Sequence, residues 1–306
     1  MNVRVATSPV SVGVTPASAG VVPFLPSGEH FLDEACRAGY NGVELGPPGY
    51  LGGGRELVEG LVARELGVSG ASLELPLATH GVDRESQASL EAVLDVLDLL
   101  RERVPGPAPR VTVADAGDAR RRAAPGVARL DRERSGLDAE GWEHFAQRLD
   151  AVARHCGRRG YLLALRPRVG SYVEAPWEID AALRAGDVGL CLDTGQVLLG
   201  GGDPVAVLRE WSRRVELVVL KDALTSRMQD VIDEGDPAAT VWSREVFCAL
   251  GEGDVDCVGI LQQLEVVGYQ GWLVVEHDAF PSTVDRIVQG FDDQRRNRQF
   301  LLGQGL

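Results

Sequence analysis

Short apolar runs alternate along the chain with longer stretches in which apolar residues recur every three or four positions. The runs are VRVA (3–6), GVEL (42–45), VSGASLEL (68–75), RVTVA (110–114), YLLAL (161–165), VGLCL (188–192), VELVVL (215–220) and WLVVE (272–276). Helix-period segments follow them at about 28–38, 54–66, 89–104, 138–156, 176–186, 203–211, 256–268 and 282–301. Continuous Val/Leu runs suit strands buried on both faces of a parallel sheet. Eight strand–helix units in series predict an α/β fold, a single (β/α)8 TIM barrel spanning residues 1–306 as one domain. A doubly wound open sheet is the alternative. Against it, no G-x-G-x-x-G follows the first strand, and GGGD (200–203) lacks the Lys-Ser/Thr of a phosphate loop. That stretch reads as a turn, with Asp203-Pro204 opening a helix. GYNGVEL (39–45) and GYQGWLVVE (268–276) echo each other, with glycines placed for a helix stop and a tight turn into the next strand.

No apolar run reaches the ~18 residues that span a bilayer. The first residues, MNVRVATSPVSVGV, lack the pattern of a secretory signal. The five cysteines form no C-x-x-C pair and read as scattered thiols of a reducing compartment, so a cytoplasmic location without membrane association is expected. A net charge of −14 argues against nucleic acid as a partner. The arginine-rich run 119–134 is the local exception; it carries no interleaved aromatics for base stacking and reads as an exposed loop. Trp177, Trp211 and Trp242 are expected to cover a cavity or a contact between copies in a homo-oligomer. One detail of composition is sharper. Of 31 basic residues only Lys221 is lysine. A lysine kept where arginine is otherwise universal points to a position that needs a compact charge with a tunable pKa.

Barrel enzymes place their chemistry at the C-terminal ends of strands. In chain order those ends offer Glu44, Glu74 with His80, Asp115, Arg166 with Arg168 and Glu174, Asp193 with Gln196, Lys221 with Asp222, and Glu276 with His277 and Asp278. Asp193, Lys221 and Glu276 each end an apolar strand, where a buried charge requires a partner, a metal or a ligand. Glu44 and Glu74 also fit a plainer role as turn caps or rim partners of arginine. Side chains alternate along a strand, so an inward Glu276 turns His277 away. His30, His144 and His155 lie in helical segments and read as surface residues.

At these positions the chain resembles the sugar phosphate isomerase/epimerase family, the xylose-isomerase-like TIM barrels, and within it the inosose-dehydratase-like branch. SPVSVGV (8–14), GYNGVELGPPGYL (39–51), RPRVGSYVE (166–174), LCLDTGQ (190–196), VLKD (219–222), LGEGDVD (250–256) and DDQRRNRQFL (292–301) carry the resemblance. The resemblance implies a divalent metal held by His or Glu on the fifth strand, Asp on the sixth, His on the seventh and Glu on the eighth. It also implies proton transfer next to a carbonyl of a polyol or ketose. This chain departs from that pattern: the fifth-strand position is Arg166, the histidine after Asp193 is Gln196, and the seventh-strand position is Val219. Only Asp193 and Glu276 remain of the four ligands.

The expectation is therefore an enzyme that needs no metal or other cofactor, with the Arg166 guanidinium in the metal's place. Lys221, Glu276, Asp193 and Arg166 would be catalytic; Arg168, Glu44, Glu174, Gln196, His80 and Asp222 would bind a polar or anionic small molecule. In one alternative Mg or Mn is retained on Asp193 and Glu276; in another the chain is a non-catalytic small-ligand binder.

Overall fold

The computed structural model describes residues 2–306. The eight apolar runs form β1 (Asn2–Thr7), β2 (Gly42–Glu44), β3 (Gly67–Leu75), β4 (Arg110–Asp115), β5 (Leu163–Leu165), β6 (Gly189–Asp193), β7 (Val215–Leu220) and β8 (Gln270–Val275). Each strand pairs in parallel with the next, and β8 pairs back onto β1 with Ala6 opposite Val274, so the sheet closes on itself. The fold is a single (β/α)8 TIM barrel. Among the described residues no helix is long and apolar enough to cross a membrane.

Strand alternation decides what fills the barrel. Ala6, Ala164, Cys191, Leu217, Val219, Trp272 and Val274 form one inward cluster. Trp272 lies at the N-terminal end, where its indole N–H donates to the Pro107 carbonyl at 3.0 Å. The ring packs so closely on three glycines that a Cβ at Gly42, Gly67 or Gly106 would come within 2.6, 2.8 and 2.6 Å of its carbons. A second, larger core lies between the strands and the surrounding helices.

Ser27, Asp83, Asp138, Asp203, Asp256 and Thr283 each cap a helix through a side-chain oxygen. Asp203 accepts from the Val205 N–H at 2.9 Å, as a helix start rather than a phosphate loop requires. The third long helix is Arg84–Leu100, earlier than the periodicity places it. Asp83 caps it at one end, and Val104, which precedes proline, is disfavoured in helix at the other.

Two excursions depart from expectation. The arginine-rich segment is no exposed loop: it folds into the short helices Ala119–Ala123, Val127–Leu130 and Arg132–Ser135. Arg121 inside it is fully buried. It donates to Glu178 at 2.7 and 3.0 Å, to Glu174 at 3.0 Å and to the Ser135 carbonyl at 3.0 Å. The other Glu174 oxygen accepts from the Gly126 N–H at 2.6 Å. Glu174 thus ties the segment after β4 to the one after β5 and does not face a substrate. The second excursion follows β7. It contains a two-stranded ribbon, Asp222–Ala223 with Phe247–Cys248, and the helices Thr225–Asp233 and Thr240–Ser243. Asp222 closes its base by accepting from the N–H groups of Ala223, Gly251, Gly253 and Val255 at 2.8 to 3.0 Å. Its acceptor capacity is spent on backbone, so the expected contact with substrate gives way to a structural one.

Candidate active site

Two residues beyond the inward cluster, alternation turns Arg166, Asp193, Lys221 and Glu276 into the C-terminal mouth of the barrel. The Arg166 guanidinium lies between the two carboxylates. Its Nε and Nη2 are 3.0 and 2.6 Å from Asp193 Oδ2, and Nη2 is 2.5 Å from Glu276 Oε2. Its remaining nitrogen, Nη1, is 3.4 Å from Glu276 Oε1 and 3.4 Å from the Ser72 hydroxyl. Lys221 is completely buried beside it. Its ammonium is 2.7 Å from Glu276 Oε2, 2.7 Å from Asp278 Oδ1 and 3.4 Å from Asp193 Oδ2. It also lies 4.8 Å from the centre of the Phe247 ring, which the ribbon delivers.

These contacts set the protonation states. Burial alone would raise the Glu276 carboxyl, but Arg166 and Lys221 override it and hold the group down at about 2. Burial likewise opposes charge on Lys221, yet Asp193, Asp278 and Glu276 raise it above the ordinary lysine value. Arg166 is raised in the same way by Glu276 and Asp193 against its own burial. Lys221 is therefore a firmly held ammonium, a proton donor rather than the neutral amine that imine formation needs.

The other expected residues divide. Arg168 reaches the mouth, pairs with Glu74 and lies over Trp242, 5.4 Å from its ring centre. Glu44 is buried next to the site and fully engaged. It accepts from the Ser8 hydroxyl at 3.0 Å and from the N–H groups of Gly46 at 3.1 Å and Ser72 at 2.9 Å. Burial, then the charge of Glu276, pushes its carboxyl above the usual range. Gln196 is a positioning group: its side-chain oxygen accepts from the Val169 N–H at 2.8 Å and holds the turn that carries Arg168. Asp115 is spent on the N–H groups of Ala78, Gly117 and Tyr172. His80 is exposed, bonded to Thr79 at 3.1 Å, and takes no part in the charged cluster, because the loop after β3 turns its ring to solvent. His277 turns away from the mouth, with Nδ1 3.3 Å from Asp293 on the last helix.

Sequence reasoning placed Asp278 at the end of β8 and Trp242 over a cavity or contact without giving either a partner, and it missed Ser72. Asp278 is the second close partner of Lys221. Trp242 donates its indole N–H to Asp278 at 3.1 Å, so the excursion after β7 forms one wall of the mouth. Of the three tryptophans expected over a cavity or contact, only Trp242 reaches the mouth; Trp177 bonds the Ala128 carbonyl and Trp211 bonds Asp180. Ser72 is exposed on β3, with its hydroxyl 2.7 Å from that of Thr112 on β4 and 3.4 Å from Arg166 Nη1. Replacing Trp242 by phenylalanine keeps the ring and deletes the N–H. Modification of Lys221 by an amine reagent is then expected to accelerate about tenfold, the effect of losing one hydrogen bond of ~1.5 kcal/mol to a charged group. Because Lys221 is the only lysine, mass spectrometry of its peptide reads this directly.

A closed parallel barrel with its ionised side chains gathered at the C-terminal mouth defines the (β/α)8 enzymes as a class. The chain belongs to the xylose isomerase-like TIM barrel family, whose model matches residues 32–298. It is 32% identical to the rhizopine catabolism protein MocC of Rhizobium meliloti over 83% of this chain and 75% of that protein. It is 24% identical to the inosose dehydratase of Lactiplantibacillus plantarum over 90% of this chain and 89% of that one. Among solved structures, the probable 3-DHS dehydratase AsbF of Bacillus anthracis shares the fold with a TM-score of 0.69, at 11% identity, over 99% of both chains. The protein is an enzyme of the isomerase, epimerase or lyase kind.

The family resemblance implies a divalent metal, and the donor set here does not fit one. Among the described residues no group of three or more His, Cys, Asp or Glu side chains is placed to hold a metal ion; the three carboxylates that do converge enclose the Lys221 ammonium. The β7 position, Val219, offers no donor atom and belongs to the apolar layer beneath. The Arg166 guanidinium lies where Asp193 and Glu276 would meet a cation.

Proposed function

We propose that the protein moves a proton next to a carbonyl of a sugar-like, polyoxygenated small molecule, and that Arg166 takes the electrostatic role of the absent divalent cation. The observation that carries this reading is the clasp of Arg166 by Asp193 and Glu276. A guanidinium fixed by two carboxylates is a permanent, preoriented positive charge at the centre of the mouth.

A substrate carbonyl oxygen entering beside Arg166 takes a hydrogen bond from Nη1 in place of its two long 3.4 Å contacts with Glu276 and Ser72, and Lys221 reaches it by letting go of a carboxylate partner. Glu276, relieved of part of its cationic contact, becomes basic enough to take the proton from the adjacent carbon. The C–H pair becomes the C=C bond of an enediol(ate), and the carbonyl oxygen receives the Lys221 proton or remains an oxyanion against Arg166. Returning the proton to the opposite face gives an epimer; returning it to the former carbonyl carbon gives an isomer. Loss of a β-hydroxyl with a proton gives elimination of water, a dehydratase outcome in keeping with the names of the relatives.

The test is elemental analysis of purified protein, combined with solvent-deuterium incorporation into ketoses and keto acids with and without EDTA. The expected result is no stoichiometric Mn²⁺ and exchange that EDTA leaves unchanged. Stoichiometric Mn²⁺ with exchange abolished by EDTA would overturn the proposal.

A further inference from the structure

We infer that the substrate carries a carboxylate, and that Arg168 receives it in a subsite where the Glu74 carboxylate is an internal stand-in. The inference rests on the reading that substrate enters this mouth, and it names what part of the substrate the mouth recognises.

The three cations of the mouth are not equivalent. All three guanidinium nitrogens of Arg166 are committed to Asp193, Glu276 and Ser72. Lys221 is enclosed by three carboxylates and has no access to solvent. Arg168 differs on both counts. Its one salt-bridge partner among the described residues is Glu74, and the side chains of the two are 29% and 53% exposed. One face of its guanidinium is covered by Trp242, which Asp278 anchors. Stacking of this kind fixes the plane of the group and leaves its N–H edge directed outward, the geometry that clasps a carboxylate with two parallel hydrogen bonds.

Ser72 and Glu74, two positions apart on β3, contact Arg166 and Arg168 and are both exposed, so this side of the mouth is open to solvent. An exposed pair such as Arg168–Glu74 is worth only about 0–1 kcal/mol, so an incoming carboxylate displaces Glu74 into water at little cost. The exchange also conserves charge in the mouth, one carboxylate replacing another. A neutral polyol offers no such replacement and leaves the Arg168–Glu74 pair closed.

Calorimetric titration with gluconate and with glucitol tests this, because the two probes differ at one end as carboxylate and alcohol. Gluconate is expected to bind the wild type, to bind Glu74→Gln about tenfold more tightly, and to bind Arg168→Gln at least tenfold more weakly, with Arg168→Lys between. Glucitol affinity is expected to be the same in all four proteins. Circular dichroism confirms that each variant is folded, and Glu74→Gln, at an exposed rim position, stands independently of the arginine changes. Gluconate binding that matches glucitol in both wild type and Glu74→Gln overturns the inference, as does gluconate binding indifferent to Arg168→Gln. Binding as expected without deuterium exchange into any keto acid keeps the subsite and removes the proton-transfer reading. Exchange into neutral ketoses alone does the reverse.

Discussion

Arg166→Met lowers the unfolding free energy by about 3–5 kcal/mol, the cost of removing one partner from a buried ion pair, and abolishes turnover. Methionine fills much of the volume, so the loss is electrostatic rather than a cavity effect. Without the guanidinium, Asp193, Glu276 and Asp278 share a single cation, Lys221, in surroundings that water scarcely reaches. Chemical denaturation at several pH values checks the assignment. In the wild type Glu276 is held at about 2, below the ordinary glutamate value of about 4.3. A depressed carboxyl stabilises the fold at pH above its unfolded value, and that contribution is lost as pH falls through the folded value. Lys221 is raised, so its contribution is complete below the ordinary lysine value of about 10.4 and disappears only at higher pH. The contribution of Glu276 and Lys221 to wild-type stability is therefore expected to be flat between these limits and to fall as pH drops from about 5 toward 2. In Arg166→Met the acid limb shifts upward in pH, because the largest charge holding Glu276 down is gone. A variant as stable as wild type, with the same acid limb, would show that Arg166 does not satisfy these carboxylates in solution.

Lys221→Met reduces solvent-deuterium exchange into the C–H beside a substrate carbonyl by about 10²–10⁴-fold, the range for removal of a positioned acid–base group. Among the described residues the ammonium is the one proton donor that touches both Glu276 and Asp278. Lys221→Arg is not expected to rescue: guanidinium does not give up a proton near neutral pH, and the fully enclosed site has no room for its planar head. Borohydride added during turnover is expected to leave Lys221 unmodified, since its three carboxylate neighbours keep it charged. Retained exchange in Lys221→Met would shift the proton transfer to another group; trapped substrate on Lys221 would replace acid–base catalysis with imine chemistry.

The barrel was legible because eight buried strands leave eight apolar runs, and each local signal agrees with the closed sheet. The centre of the site was legible for a related reason. An ionisable residue that ends such a run is turned inward by alternation, and Lys221 stood out further as the lone lysine of an arginine-rich chain. The misses share a different cause. Glu174 and Asp222 end or follow strands as Glu276 does, and nothing local reveals that their oxygens are taken by Arg121 and by backbone N–H groups. One arginine of a basic run is buried because two glutamates lie more than fifty residues downstream, a pairing without sequence periodicity. Trp242 was placed over a cavity or a contact without a partner, because its route to Asp278 depends on how a 34-residue excursion folds back, from Asp222 to Val255. Asp83, by contrast, is a cap that could have corrected the third helix, since it precedes the apolar periodicity directly.

The indole at the closed end of the barrel has a consequence for descent. Gly42, Gly67 and Gly106 belong to three different strand–helix units, yet a Cβ at each would strike the same ring, and at Gly42 and Gly67 a backbone carbonyl as well. A smaller residue at 272 would not by itself free them: a Cβ at Gly67 still meets the Pro105 carbonyl, one at Gly42 meets the Gly67 carbonyl at 2.7 Å, and Gly106 keeps a φ of +116°. Homologues should therefore keep glycine at these three positions even in lineages where the aromatic has been replaced by something smaller.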